Sequence, residues 1–237
     1  GTYAGSAFEM KNAQINNYTV NSGGDMYISS GGTATDIVEN GGYVNVANGA
    51  NVTFASNTIE GLTLSDEADM TVHKNTVANS TTVNSGGYMY ISSGGVANST
   101  TVNSSGRMYI SSGGVASSTT VNSGGRMYIE DGGMANSTTV NYYGNMVISS
   151  GGVANSTTVN SGGYMKISSG GTATNINWTP CVGAVWVADG AYVTYTSQYS
   201  GIYFGSNNQL LSHTTSMSGK VVDGSMYVMD GGVANST

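Results

Sequence analysis

Charge is what this sequence has least of. Only 8% of its 237 residues are Asp, Glu, Lys or Arg, against about a quarter in an average soluble protein. Six basic residues against thirteen acidic ones leave a net charge of −7, so no basic patch exists to hold nucleic acid or an anionic membrane surface. A single cysteine, Cys181, excludes an internal disulfide framework, and there is one proline. No apolar run reaches the length of a membrane span, and Gly1 does not open a signal peptide. Phosphate-loop and nucleophile-elbow patterns are missing. The two histidines, His73 and His213, show no metal-ligand spacing. The densest acidic cluster, Asp66, Glu67 and Asp69 with His73 nearby, reads as a solvated turn in preference to a metal or acid–base site. No cofactor, metal or catalytic activity is expected.

What the chain has instead is glycine, 36 residues of it, and repetition. From Val77 to Gly171 run five tandem copies of one 19-residue unit: VANSTTVNSGGYMYISSGG, VANSTTVNSSGRMYISSGG, VASSTTVNSGGRMYIEDGG, MANSTTVNYYGNMVISSGG and VANSTTVNSGGYMKISSGG. A fixed short period means stacked units, each covering the apolar face of its neighbour. That period also argues against a disordered Ser/Gly linker, because it supplies an inward face in every coil.

The copies reveal the faces. Met recurs at 89, 108, 127, 146 and 165, and Ile at 91, 110, 129, 148 and 167. The positions flanking Met vary, from Tyr to Arg to Asn and from Tyr to Val to Lys. Alternation along a strand therefore puts Met and Ile inside and the variable residues in water. Val83 and its equivalents make a third inward ladder, and Ala78 and its equivalents a tight corner. The unit divides into two strand-like runs, each closed by a glycine turn. Two strands per 19 residues give an all-β, right-handed parallel β-helix (β-solenoid), with roughly 12 coils in a rod near 60 Å long at about 4.8 Å per coil. A hexapeptide helix does not fit a 19-residue period, and a calcium β-roll lacks its aspartates.

In order along the chain, 1–17 is a lead-in. Residues 18–76 are coils with an irregular block, within which Tyr18–Gly32 copies the unit's core, Thr33–Gly42 is a degenerate half-coil and Thr58–Val77 irregular coils. The regular repeats fill 77–171, irregular aromatic-rich coils 172–220, and the start of a further repeat block 221–237. The irregular blocks are related. VNVANGANVTFAS (Val44–Ser56) and VWVADGAYVTYTS (Val185–Ser197) share eight of 13 residues at an offset of 141. ISSGGTAT recurs at Ile28 and Ile167, an offset of 139. A super-repeat of block plus coils follows, and the chain reads as a piece of a longer array.

The units display hydroxyls. Paired serines stand in solvent-facing turns, suited equally to O-glycosylation and to ordinary turn chemistry. The sequon Asn79-Ser80-Thr81 and its copies at Asn98, Asn136, Asn155 and Asn235 read best as a corner with stacked Asn side chains. Tyr90, Tyr109 and Tyr128 should form an outward row, sharing their face with Tyr88, Arg107 and Arg126. Arg107 falls beside Tyr88 on the adjacent coil, within reach of its ring. Such a row could serve contacts between rods, or could simply stack on itself. Trp178, Trp186, Tyr192, Tyr195, Tyr199, Tyr203 and Phe204 mark the second block as either local core or a binding surface. Trp186 and Tyr192 are its candidate contacts.

The units VANSTTVNSGGYMYISSGG and ISSGGTAT resemble the 19-residue repeats of AIDA-type adhesins, the self-associating autotransporter passengers of Gram-negative bacteria. The resemblance is strong over Val77–Thr174, good over Tyr18–Thr35 and partial over Val222–Thr237. It implies a β-helix exported to the cell surface through an outer-membrane barrel that lies outside this sequence. Adhesion to host cells or their glycans, self-association and biofilm formation would follow, with Ser modified by a dedicated heptosyltransferase. Carried over, the acceptors are Ser30, Ser93, Ser112, Ser150 and Ser169 of the SSGG turns and Ser22, Ser85, Ser123 and Ser161 of the NSGG turns. Glu130-Asp131 and Tyr142-Tyr143 depart from the pattern. The alternatives are a polysaccharide-binding or processing β-helix, and a passive stalk that spaces other domains.

Overall fold

The computed structural model describes residues 9–10, 14–218, 224–229 and 232–235. The lead-in 1–17 and the repeat start 221–237 therefore lie partly outside the described residues, as do Ser236 and Thr237 of the Asn235 sequon.

The chain is a parallel β-solenoid, and each 19-residue coil carries three strands. In the second copy these are Val96–Asn98, Thr101–Val102 and Arg107–Ile110. In the regular coils every strand pairs in parallel with its counterpart one coil away, each position on its equivalent: Ala78 on Ala97, Val83 on Val102, Met89 on Met108. This corrects the expectation of two strands with Ala at a corner. Ala97 lies mid-strand and faces inward, fully buried. The corner comes after it, where Ser80, Ser99, Ser118, Ser137 and Ser156 adopt the left-handed conformation at φ of 54° to 57°. A corner built on Ser lacks the glycine that marks the other two, so it reads as strand.

The glycine corners are main-chain β-turns. In the second SSGG turn, Gly114 N–H donates to the Ser111 carbonyl at 2.8 Å, and Gly113 takes φ +78°, a conformation open to glycine at no steric cost. Gly114 is needed for a different reason. A Cβ there would stand 2.4 Å from the Ile91 carbonyl oxygen of the coil before. One glycine makes the turn and the other lets the coils approach.

On the Met–Ile face a three-stranded sheet and a seven-stranded sheet supply ten rungs, about 45 Å of stack. The count falls short of twelve because Ile202–Ser206, Gln209–Thr214 and Ser225–Val228 leave the stack as an antiparallel sheet. Thr58–Val77 is more regular than expected. Asn57–Glu60, Thr63–Leu64 and Asp69–Val72 form a full rung that places Ile59, Leu64 and Met70 on Ala78, Val83 and Met89. Thr33–Asn40 is likewise more than a half-coil. It is one eight-residue strand that turns a corner at Asp36 (φ 55°) and pairs with both Gln14–Asn16 and Thr19–Asn21.

Five inward positions fill each regular coil. In the second copy Ala97, Thr100, Val102, Met108 and Ile110 are all fully buried, and burial of a Met or Ile contributes about 1.5–3 kcal/mol. The threonines Thr81, Thr100, Thr119, Thr138 and Thr157 stack with hydroxyls that find no partner among the described residues. Asparagines run up two outer corners. Asn103 donates to Asn84 at 2.9 Å, Asn122 to Asn103, Asn141 to Asn122 and Asn160 to Asn141. On the other corner Asn98 donates to Asn79 at 3.0 Å and Asn155 to Asn136 at 3.1 Å. The sequon side chains of Asn79, Asn98, Asn136 and Asn155 are thus engaged in the stack, as the period suggested.

Two separate apolar columns result. The smaller holds Val20, Met26, Ile28, Ala34, Ile37 and Val44; the larger runs from Ile59 to Val185. A polar seam joins them. Glu39, fully buried, accepts hydrogen bonds from the Thr71 hydroxyl and the His73 backbone N–H and contacts His73 Nδ1, each at 2.7 Å. His73 stacks on Phe54 at 4.6 Å. The super-repeat makes a second seam at the equivalent place. Val38 bonds beside Thr19 as Asn177 does beside Thr158, so Trp178 stands where Glu39 stood. Phe54 and Tyr195 hold equivalent registers on Ile37 and Ile176. Trp178 packs against Tyr195, Tyr199 and Tyr227 at 5.8, 5.8 and 5.4 Å. One seam is built of hydrogen bonds to a carboxylate, the other of rings.

These faces can be tested by melting. Met127→Asp puts an unpaired charge inside the Met ladder and should destabilise the rod by more than about 3 kcal/mol. Lys166→Glu, on the exposed flank, should stay within about 0.5 kcal/mol of the parent. Equal melting of the two variants would contradict the face assignment.

Candidate functional site

The exterior carries three kinds of candidate group. The first is serine. Ser30, Ser93, Ser112, Ser150 and Ser169, and likewise Ser22, Ser85, Ser123 and Ser161, are all exposed at turn tips. Because the main chain closes these turns, their hydroxyls are not needed for the turn. Among the described residues Ser161 alone of the nine donates a hydrogen bond, to the Asn208 carbonyl at 3.3 Å. At the departing turn, Glu130 accepts a hydrogen bond from Ser111 of the previous coil at 2.6 Å. Sequence reasoning missed a third exposed row, the left-handed corner serines Ser80, Ser99, Ser118, Ser137 and Ser156. It also missed Ser104 in the NSSG turn. The signal was available, since the corner serine never changes among the five copies.

The second group is the tyrosine row. Tyr90, Tyr109 and Tyr128 stack face to face at 5.2 and 4.9 Å with planes 11° apart. The row continues across the first seam through Tyr43, 5.7 Å from Tyr90, to Tyr27. Tyr88 lies parallel to Tyr90, and the Arg107 guanidinium sits 5.4 Å from the Tyr88 ring centre. Arg107 also hydrogen-bonds Tyr109, which pushes its pKa up. Arg126 continues the register beyond Arg107 and is exposed. The rings spend their faces on one another and turn edges and hydroxyls to solvent.

The third group is the aromatic block. Most of it is local packing, since Trp178, Tyr195 and Tyr199 form the second seam and Tyr203 stacks on His213 at 4.4 Å. Trp186 and Tyr192 are exposed, 65% and 61%. They stand on different sheets, Trp186 beside Lys166 and Tyr192 beside Thr172, so they make no common platform. Cys181 is buried, with its thiol pKa raised by that burial.

The acidic turn is solvated. Asp66 and Glu67 are exposed, and no group of three metal-ligating side chains occurs among the described residues. Asp69 is the exception to full exposure. Burial, then Asp25 and Glu67, push its carboxyl pKa up. His73 turns away from this cluster to Glu39, a partnership no local pattern could announce.

Tyr90 offers a titration. Burial first, then Asp69 and the neighbouring tyrosines, push its pKa up to about 12. The folded chain therefore holds this proton above pH 10, where an unfolded tyrosine begins to release it. The stability so contributed is complete below pH 10 and lost as pH rises to about 12. Melting curves from pH 9 to 12 should fall more gently for Tyr90→Phe than for the parent. A phenolate absorbance titration that places Tyr90 near 10 would contradict this.

Comparison with known proteins bears on the whole exterior. A family model described as "Adhesin of bacterial autotransporter system, probable stalk" matches residues 93–144, the heart of the regular coils. No curated protein sequence matches significantly. Among solved structures, the crystal structure of a TibC-catalysed, hyper-glycosylated fragment of TibA is similar at a TM-score of 0.53 and 30% identity, over 80% of this chain and 80% of that one. With the family match on the regular coils and the structural likeness along most of both chains, this chain belongs to the AIDA-type autotransporter adhesin passengers.

Proposed function

We propose that the chain is a non-catalytic, O-glycosylated segment of an adhesin stalk, displayed on the surface of a Gram-negative cell after export across the outer membrane. The observation that carries this reading is the serine array. Nine exposed hydroxyls stand at turn tips closed by main-chain bonds, on a fold similar to that of a hyper-glycosylated fragment. A modifying enzyme meets the same short turn once per coil, so one recognition event can be repeated along the rod. Charge too sparse to repel a second rod also favours side-by-side association, with weak contacts multiplied by the repeat. The reading as a polysaccharide-processing β-helix has less support. Asp66 and Glu67 lie in an exposed turn, and Glu39 is consumed by the first seam.

Co-expression with TibC and peptide mapping test the proposal. Sugar should appear at Ser93, Ser112, Ser150 and Ser169 and at the NSGG serines Ser85, Ser123 and Ser161, and be absent from the Glu130-Asp131 and Tyr142-Tyr143 turns. The same preparations, sedimented over a concentration series, should associate weakly. Sugar confined to the corner row at Ser80, Ser99 and Ser118, or to the Thr81-Thr82 strand, would overturn the acceptor assignment. A rod that stays monomeric at about millimolar concentration would overturn the self-association.

A further inference from the structure

One turn in the regular array breaks its own rule. The turn after the Val strand places its third residue in the left-handed conformation, at Gly86, Ser105, Gly124 and Gly162 with φ of 75°, 61°, 74° and 66°. The fourth copy puts Tyr143 there, at φ 56°. A bulky side chain is disfavoured in this region, and such a conformation persists only where something else sustains it. Burial does not, because Tyr143 is 65% exposed and Tyr142 beside it 50% exposed. The two tyrosines cost the stalk stability and return no core.

They are nonetheless held in place. The Tyr142 ring lies on Gly162 of the next coil, so closely that a Cβ there would stand 2.3 Å from its Cδ2. Asn208, at the tip of the hairpin that the second irregular block adds, approaches the same point with its amide nitrogen at 3.3 Å and accepts the hydrogen bond from Ser161. The two rings are 4.1 Å apart between centres and tilted by 47°. The result is a pre-set, angled aromatic surface.

Its neighbours along the turn row are Ser123, Ser161, Asn141, Asn160 and Asn208, all hydroxyl or amide. Within the turn row the nearest charges, Asp66 and Glu67, lie four coils back; outside it, the exposed Arg126 stands one coil away, across from Asn145. Such a setting offers nothing to a cation. Ring faces, negative at their centres, suit the weakly positive C–H face of a sugar ring, and the surrounding amides and hydroxyls suit its hydroxyls. We propose that Tyr142 and Tyr143, seated on Gly162 and flanked by Asn208, form a binding site for a neutral pyranose. This goes beyond the stalk reading and does not depend on glycosylation of the chain.

The array itself supplies the control. Tyr142→Ser with Tyr143→Gly restores the NSGG turn of the neighbouring copies, so this variant should melt at or above the parent temperature. Saturation-transfer NMR would be run on unglycosylated chain with methyl glucoside, galactoside, mannoside and N-acetylglucosaminide, a neutral heptoside, and glucuronic acid as the charged control. At least one neutral sugar should receive saturation and shift the Tyr142 and Tyr143 ring signals, and the variant should lose at least about tenfold in affinity. Strongest binding of the heptoside would point to sugars on a second glycosylated copy; strongest binding of a hexoside or N-acetylhexosaminide would point to a foreign glycan. Three results would overturn the proposal: no neutral sugar whose signal the variant abolishes, a variant that melts well below the parent, or a variant whose sole defect is in concentration-dependent sedimentation. The last would make the pair a protein–protein contact.

Discussion

The structure depends on one constraint: every coil must lie on the next with each residue over its own counterpart. The register holds at 19 residues through the regular coils and is kept in the irregular blocks by coils one residue shorter or longer, as where Asp25 pairs with Tyr43 and Tyr164 with Ala184. Given that register, the rest follows. Identical inward residues fuse into continuous columns of Met, Ile, Val and Ala. Identical outward residues fall one strand spacing apart, close enough for Asn to hydrogen-bond Asn and for Tyr to stack on Tyr. The second glycine of each turn is demanded by the approach of the coil before. Even the cost shows the constraint, since a buried threonine whose hydroxyl finds no partner among the described residues is repeated in five successive coils.

The Met, Ile and Val ladders were plain in the sequence because those positions accept no polar residue in five copies, and the Asn stacking was plain from the period; the inward Thr100 row was not, because a threonine reads equally well as an outward strand residue. The number of strands was not. A three-residue VAN strand has a single inward position, and the corner after it is made by a left-handed Ser that nothing in composition distinguishes from strand. The seams were hidden for another reason. Glu39 finds Thr71 and His73 more than thirty residues away, across a stretch where the period lapses, and Trp178 finds Tyr227 in the same way. The outward tyrosine row was legible as a row, but its rings proved to face one another. The serine tips were legible in the two glycine turns and overlooked at the third corner.

Regularity and departure divide the labour of this adhesin segment. The regular coils give reach and a repeated hydroxyl surface at minimal sequence complexity. The departures carry individuality. One seam is sealed by a buried carboxylate and the equivalent seam by a cluster of rings, so the same joint tolerates two chemistries. The second block spends its additional residues on a hairpin whose tip leans back on the regular coils, beside the one turn where bulky side chains replace serine and glycine.

The register itself can be measured directly by spin-label distances. Thr101, Thr120 and Thr139 point outward from the Val strand at successive rungs. In a background where Cys181 is replaced by Ser, labels at 101 and 120 should sit on backbones about 4.8 Å apart, and labels at 101 and 139 about twice that. Strong dipolar broadening in the first pair, weaker in the second, is the expected result. Labels 19 residues apart that show no coupling, or that couple no more strongly than labels 38 apart, would contradict the stacked-coil account at its root.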